Sequence, residues 1–134
     1  ILFASQIKAM DSKLVPVSPQ NFKKAYKFLD EHLEQPHDFY GTDILAALHK
    51  ACQSNPTEII LVTDGMAGDN PYAPGSIEIN SFIISTHLKA YNLSHARLYT
   101  IGLGVSLNSS AARFLKMLAA ENDGVCKLQP LDEL

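Results

Sequence analysis

Glu58-Ile59-Ile60-Leu61-Val62-Thr63-Asp64-Gly65 decides the fold of this chain. After Glu58 the run is β-branched and continuously apolar, and it ends on an acid followed by a glycine. A strand that is apolar without alternation is expected to be covered on both faces, and such strands run parallel inside a sheet layered by helices. The residues that follow, Asp64 to Ser76, include three Gly, two Pro, two Asp and one Asn, which predicts a loop leaving the carboxyl end of that strand.

Working outward, strand and helix patterns alternate. Downstream, a helix is expected from about Ile77 to Tyr91 with Ile79, Phe82, Ile83 and Leu88 toward the core. Next come a strand over Arg97 to Gly104, a helix over Ser109 to Asn122 burying Ala111, Phe114, Leu115 and Leu118, and a short strand over Val125 to Leu128. Gly124 stands where a left-handed helix cap belongs. Upstream, Thr42 is placed to cap a helix whose buried stripe is Ile44, Leu45, Ala47, Leu48 and Ala51, ended by Asn55-Pro56. Before it, Ser18-Pro19 opens a helix with Phe22, Ala25, Tyr26, Leu29 and Leu33 on one stripe, closed by Pro36. The extended pieces Leu2 to Ser5 and Lys13 to Val17 suggest a hairpin at a sheet edge, with Pro16 suited to an edge strand. The fold class is therefore α/β: a Rossmann-like three-layer domain, mostly parallel with an antiparallel edge strand and helices on both faces. Ligands of such sheets bind beyond the carboxyl ends of the strands, which directs attention to the loops after Ser5, Asp64 and Gly102.

The 134 residues suit one domain, and 46% apolar against 19% charged residues excludes a disordered chain. A net charge of −3 with both signs scattered leaves no basic stripe for nucleic acid or anionic membranes. No apolar run approaches the length that crosses a bilayer, so direct membrane insertion is not expected. Cys52 and Cys126 lie far apart in no zinc-type pattern; two buried thiols or a single disulfide both fit. The five histidines show no metal spacing. Ser106, Ser109 and Ser110 have no evident base, and Gly102-Leu103-Gly104 lacks the third glycine of a dinucleotide fingerprint. Asn92-Leu93-Ser94 and Asn108-Ser109-Ser110 match the glycosylation sequon, which matters only in a secretory setting. Compartment is not written in the residues beyond a lean toward an extracytoplasmic or cell-surface setting.

The chemistry concentrates in two places. Asp64 puts a carboxylate at the ligand-binding edge of the core strand, and Gly41-Thr42-Asp43 puts a hydroxyl and a carboxylate at a helix start. Oxygen ligands of this kind suit a hard divalent cation; they also serve as caps and turn formers. Asp43 reads as a first-turn acid that complements the helix dipole. Asp69 and Asn70 read as loop formers, and Ser5 as a strand-end hydroxyl beside the site.

These segments resemble a von Willebrand factor type A domain. The resemblance rests on Gly41-Thr42-Asp43-Ile44 before an Ala/Leu-rich helix, on Ile59 to Gly65, on Leu98-Tyr99-Thr100-Ile101-Gly102-Leu103-Gly104, and on Phe114 to Ala119 leading to Asn122-Asp123-Gly124. Leu14 to Asn21 is, more narrowly, similar to the type A domains of inter-alpha-trypsin inhibitor heavy chains. It implies a protein-binding, non-enzymatic module with a metal-ion-dependent adhesion site. There Mg²⁺ or Mn²⁺ is held by an Asp-x-Ser-x-Ser segment, a Thr and an Asp, and an open position accepts a partner's acidic side chain. Thr42 and Asp64 match the last two. Asp-x-Ser-x-Ser is absent from this sequence, and Ile1-Leu2-Phe3-Ala4 begins mid-strand and matches the family's second strand. The expectation is a type A domain lacking its first central strand and helix, with a half-complete metal site. Its two unpaired sheet edges would invite a homodimer or a strand donated by another chain. A metal-independent structural module, or a phosphate-handling hydrolase using Asp64 as a metal-bound carboxylate, are the rival readings.

Overall fold

A computed structural model describes residues 1–4, 6–33, 42–66 and 77–130. In chain order these form β1 (Leu2–Phe3), β2 (Ile7–Lys8), α1 (Pro19–Leu33), α2 (Ile44–Cys52), β3 (Glu58–Thr63), α3 (Ile77–Tyr91), β4 (Arg97–Leu103), α4 (Ser110–Ala120) and β5 (Cys126–Gln129). The chain is α/β and Rossmann-like. β3, β4 and β5 make a parallel sheet in that order, and β1 and β2 make a separate antiparallel pair. No described helix is long and apolar enough to cross a membrane.

The core lies between the three-stranded sheet and α2, α3 and α4. Ile59 and Leu61 of β3, with Leu98 of β4, meet Ile44 and Leu48, Ile84 and Leu88, and Phe114, Leu115 and Leu118. Strand order explains why the core is on this side. Two right-handed crossovers that step in the same direction across a sheet leave both connecting helices on one face. Cover on both faces of β3 is therefore not what forms: Ile59, Leu61 and Thr63 are buried, whereas Ile60 is 66% and Val62 46% exposed.

Several local expectations are also corrected. The hairpin partner of β1 is Ile7–Lys8, not Lys13 to Val17, because the chain turns at once, with the Ala4 N–H donating to the Gln6 carbonyl. Ser18 does cap α1, accepting from the Asn21 N–H at 3.1 Å, but the helix stands off the core. Phe22 is 55% and Tyr26 66% exposed. Lys24 ties α1 to the preceding segment through Asp11 at 2.7 Å, and this hydrogen bond holds the exposed Asp11 carboxyl below its ordinary range. The expected stop at Pro36 lies outside the described residues. In α3, Asn80, Ser81, Ile84, Ser85 and Leu88 face inward, and Ile79 and Phe82 face out. The small Ser81 and Ser85 allow α4 to approach, and the Ser85 hydroxyl bonds the Glu121 carboxylate.

Gly124 is not the left-handed residue after α4; that position is Asp123, with φ of 53°. Gly124 is required because a side chain there would run into the Leu98 carbonyl. Asn92 is buried, bonding both the Ala96 N–H and carbonyl and the Asn122 amide oxygen, so its side chain serves the fold. Both cysteines are free thiols. Burial pushes the Cys52 thiol up, while Cys126 is only half-buried. A thiol reagent at neutral pH is expected to label Cys126 about ten-fold faster than Cys52, whose labelling should follow denaturant-induced opening. Equal rates in the native protein would contradict this packing.

Candidate functional site

The carboxyl end of β3 is shaped by two local hydrogen bonds. The Gly65 N–H donates to Thr63 Oγ1 at 3.1 Å, and the Met66 N–H donates to Asp64 Oδ1 at 3.0 Å. Gly65 has φ of 75°, and a Cβ there would sit 2.9 Å from that of Ala111, so both backbone conformation and the nearness of α4 demand glycine. The buried Thr63 anchors this turn, and Asp64 beside it is left exposed.

Thr42 reaches the same region by another route. The Asp43 N–H donates to the Ala4 carbonyl at 2.8 Å, fastening the start of α2 to the end of β1. The cap of α2 is Asp43, whose Oδ1 accepts from the Ala46 N–H at 2.9 Å. The capping role expected of Thr42 therefore belongs to its neighbour, and Asp43 is the cap itself, not a first-turn acid.

Thr42 and Asp64 both line one open cavity of about 970 Å³, which extends along β3 and past β1 with α2 beneath it. Two hard oxygen donors from different segments thus line one cavity. This fits Mg²⁺ or Mn²⁺ in kind but supplies two of about six ligands. Among the described residues no group of three or more His, Cys, Asp or Glu side chains is assembled that could hold a metal. Ser5, Asp69 and Asn70, the other residues read as neighbours of the site, lie outside the described residues.

The remaining sequence signals have structural explanations. Ser109 caps α4, accepting from the Ala112 N–H at 3.1 Å. A Cβ on Gly102 would meet Leu128 and Leu115 within 3.0 Å, so Gly102 is a packing glycine. His49 stacks on Tyr91 with ring centroids 4.1 Å apart, joining α2 to the end of α3. What sequence reading missed is the wall itself. Nothing in a continuous apolar run tells which alternate residues, here Ile60 and Val62, will be left bare.

No family model matches the chain, and no curated protein matches it significantly.

Proposed function

We propose that this chain is a non-enzymatic, protein-binding module of the von Willebrand factor type A kind. It engages an acidic side chain of a partner through a divalent cation held in part by Thr42 and Asp64. One observation carries the reading. Residues singled out by the motif resemblance, from separate segments, line the same cavity, which runs along β3 to its carboxyl end, where open parallel sheets take their ligands.

The Thr42 hydroxyl and the Asp64 carboxylate would be oxygen ligands, water would fill further positions, and the cation would supply an open position for a carboxylate. The chain's own part is to hold the two donors. Asp43 fixes the α2 start against Ala4, and the Thr63–Gly65 and Asp64–Met66 bonds fix the turn.

Paramagnetic Mn²⁺ tests this directly. With only two protein ligands the dissociation constant is expected to be on the order of millimolar. Amide signals of Thr42, Asp64 and Met66 should broaden first. Asp64→Ala should abolish the selective broadening, and Thr42→Ala should weaken it several-fold. Broadening that persists in Asp64→Ala, or that centres elsewhere, would remove these residues from the site.

A further inference from the structure

We infer that the outer groove between α3 and α4 docks an amphipathic helix of a partner protein, whose apolar side chains fill the groove and whose acidic residue meets Arg113. This surface is separate from the cavity lined by Thr42 and Asp64, and docking there needs no cation.

The groove follows from the connectivity. α3 joins β3 to β4 and α4 joins β4 to β5 in a parallel sheet, so the two helices lie side by side and run in the same direction. Ser81 and Ser85 keep the seam between them narrow, and the buried Phe114 closes its floor. Phe82 of α3 and Met117 of α4 stand on either side, 71% and 36% exposed, around an open cavity of about 310 Å³. Both helices already bury their inner sides in the core, through Ile84 and Leu88 of α3 and Leu115 and Leu118 of α4, so the groove belongs to the outer surface of the fold. Aromatic, Met and Arg side chains are the types enriched where proteins meet, and all three gather here.

Charge selects the partner. At the carboxyl end of the two helices the charges are already matched: the Glu121 carboxylate accepts the Ser85 hydroxyl and lies 3.5 Å from Lys89 Nζ. At the amino end they are not. Arg113 donates to the Ser110 hydroxyl at 3.1 Å, α4 has no acid in its first turn, and no ion pair among the described residues includes Arg113. The groove is therefore apolar along its middle and carries one unmatched cation at one end, about 12 Å along α4 from Glu121. Its complement is an apolar stripe of two helical turns with a carboxylate at one end; a basic stripe would be repelled.

Size and shape favour a helix over a small amphiphile with the same charge. The cavity is at the lower limit of those that enclose small molecules, and it is open along its length, so a slender ligand would leave Phe82 in water. A helix about 10 Å across covers both sides of the groove while its large side chains enter between them.

Peptide titration of the full chain in EDTA, read by amide chemical shifts, tests the proposal. The probe is the capped peptide Glu-Gln-Ala-Ala-Leu-Lys-Gln-Phe-Ala-Lys-Ala-Leu, whose acid and large apolar residues share one helical face, and its counterpart carries Lys in place of the Glu. Signals of Phe82, Ser85 and Met117 should shift with a dissociation constant on the order of 0.1 mM, the range of small transient interfaces. The lysine peptide should bind about five-fold more weakly. Arg113→Glu should reverse that order, and Phe82→Ala, a change at an exposed side chain, should weaken binding of the acidic peptide about ten-fold. If either variant does not fold, the comparison of the two peptides decides, since it leaves the protein unaltered. Equal affinity of the two peptides, shifts centred elsewhere, or none at about 1 mM peptide would overturn the proposal. So would the same shifts produced by octanoate at equal concentration, or concentration-dependent shifts without peptide together with a dimer mass. Because EDTA is present, such a failure leaves the Mn²⁺ result standing on its own.

Discussion

Gly124→Ala is expected to lower stability by about 3 kcal/mol, a fall in Tm of about 10 °C for a domain of this size. The new methyl group would be driven into the Leu98 carbonyl, a backbone atom that cannot rotate away. Leu98 is held on both sides. Its N–H donates to the Asn122 carbonyl, and two residues on, the Thr100 N–H donates to Val125, where β5 begins to pair. Relief therefore means separating the β4–β5 ladder from the turn after α4. A glycine kept only for a left-handed backbone would lose about 1–2 kcal/mol on the same change. Asp123→Gly separates the two causes. It relieves the true left-handed residue and loosens the unfolded chain by a similar amount, so its stability should stay within about 1 kcal/mol of the parent. Urea denaturation of both variants measures this, and a Gly124→Ala loss under 1 kcal/mol would contradict the close approach.

Leu115→Ala should cost a similar amount, about 3 kcal/mol, through lost apolar burial and the cavity left behind. Leu115 is fully buried, and its carbonyl accepts the Thr100 hydroxyl at 3.0 Å beneath β4. Its Cδ1 also fills the space beside both Gly65 and Gly102, so it lies directly under the turn that presents Asp64. Met117→Ala, two positions along the same helix but on its partly exposed side, should change stability by less than about 1 kcal/mol. Denaturant midpoints distinguish the pair. Leu115→Ala should also weaken the selective Mn²⁺ broadening at Asp64, because the turn loses the side chain it rests on.

Much of this architecture could be read from local chemistry. Ser18-Pro19 opens α1, Ser109 opens α4, and Ile59 to Thr63 is a strand that ends at an exposed Asp64. These features depend on backbone propensity, on caps within three residues, and on apolar periodicity, all of which act over one or two turns of chain. The inward face of α3 was less legible. Its apolar residues lie all around the helix, so the choice of Ser81, Ile84 and Ser85 over Ile79 and Phe82 had to come from what α2 and α4 present. In the candidate site, Asp64 and Thr42 were legible as oxygen donors at element ends, but not the transfer of the cap from Thr42 to Asp43. That depends on the bond between the Asp43 N–H and Ala4, a contact far away in sequence.

The sequence by itself therefore determined the four helices, the strands β3 to β5, their order and the parallel α/β class, because each is set by interactions among near neighbours in the chain, whereas it misplaced the hairpin partner of β1. Only the tertiary structure decided which face of β3 is buried, why residue 124 must be glycine, and that Thr42 and Asp64 share one cavity. Those outcomes depend on the direction in which successive crossovers step across the sheet and on how closely α4 and β4 approach residues distant in sequence, and neither is encoded in any single segment.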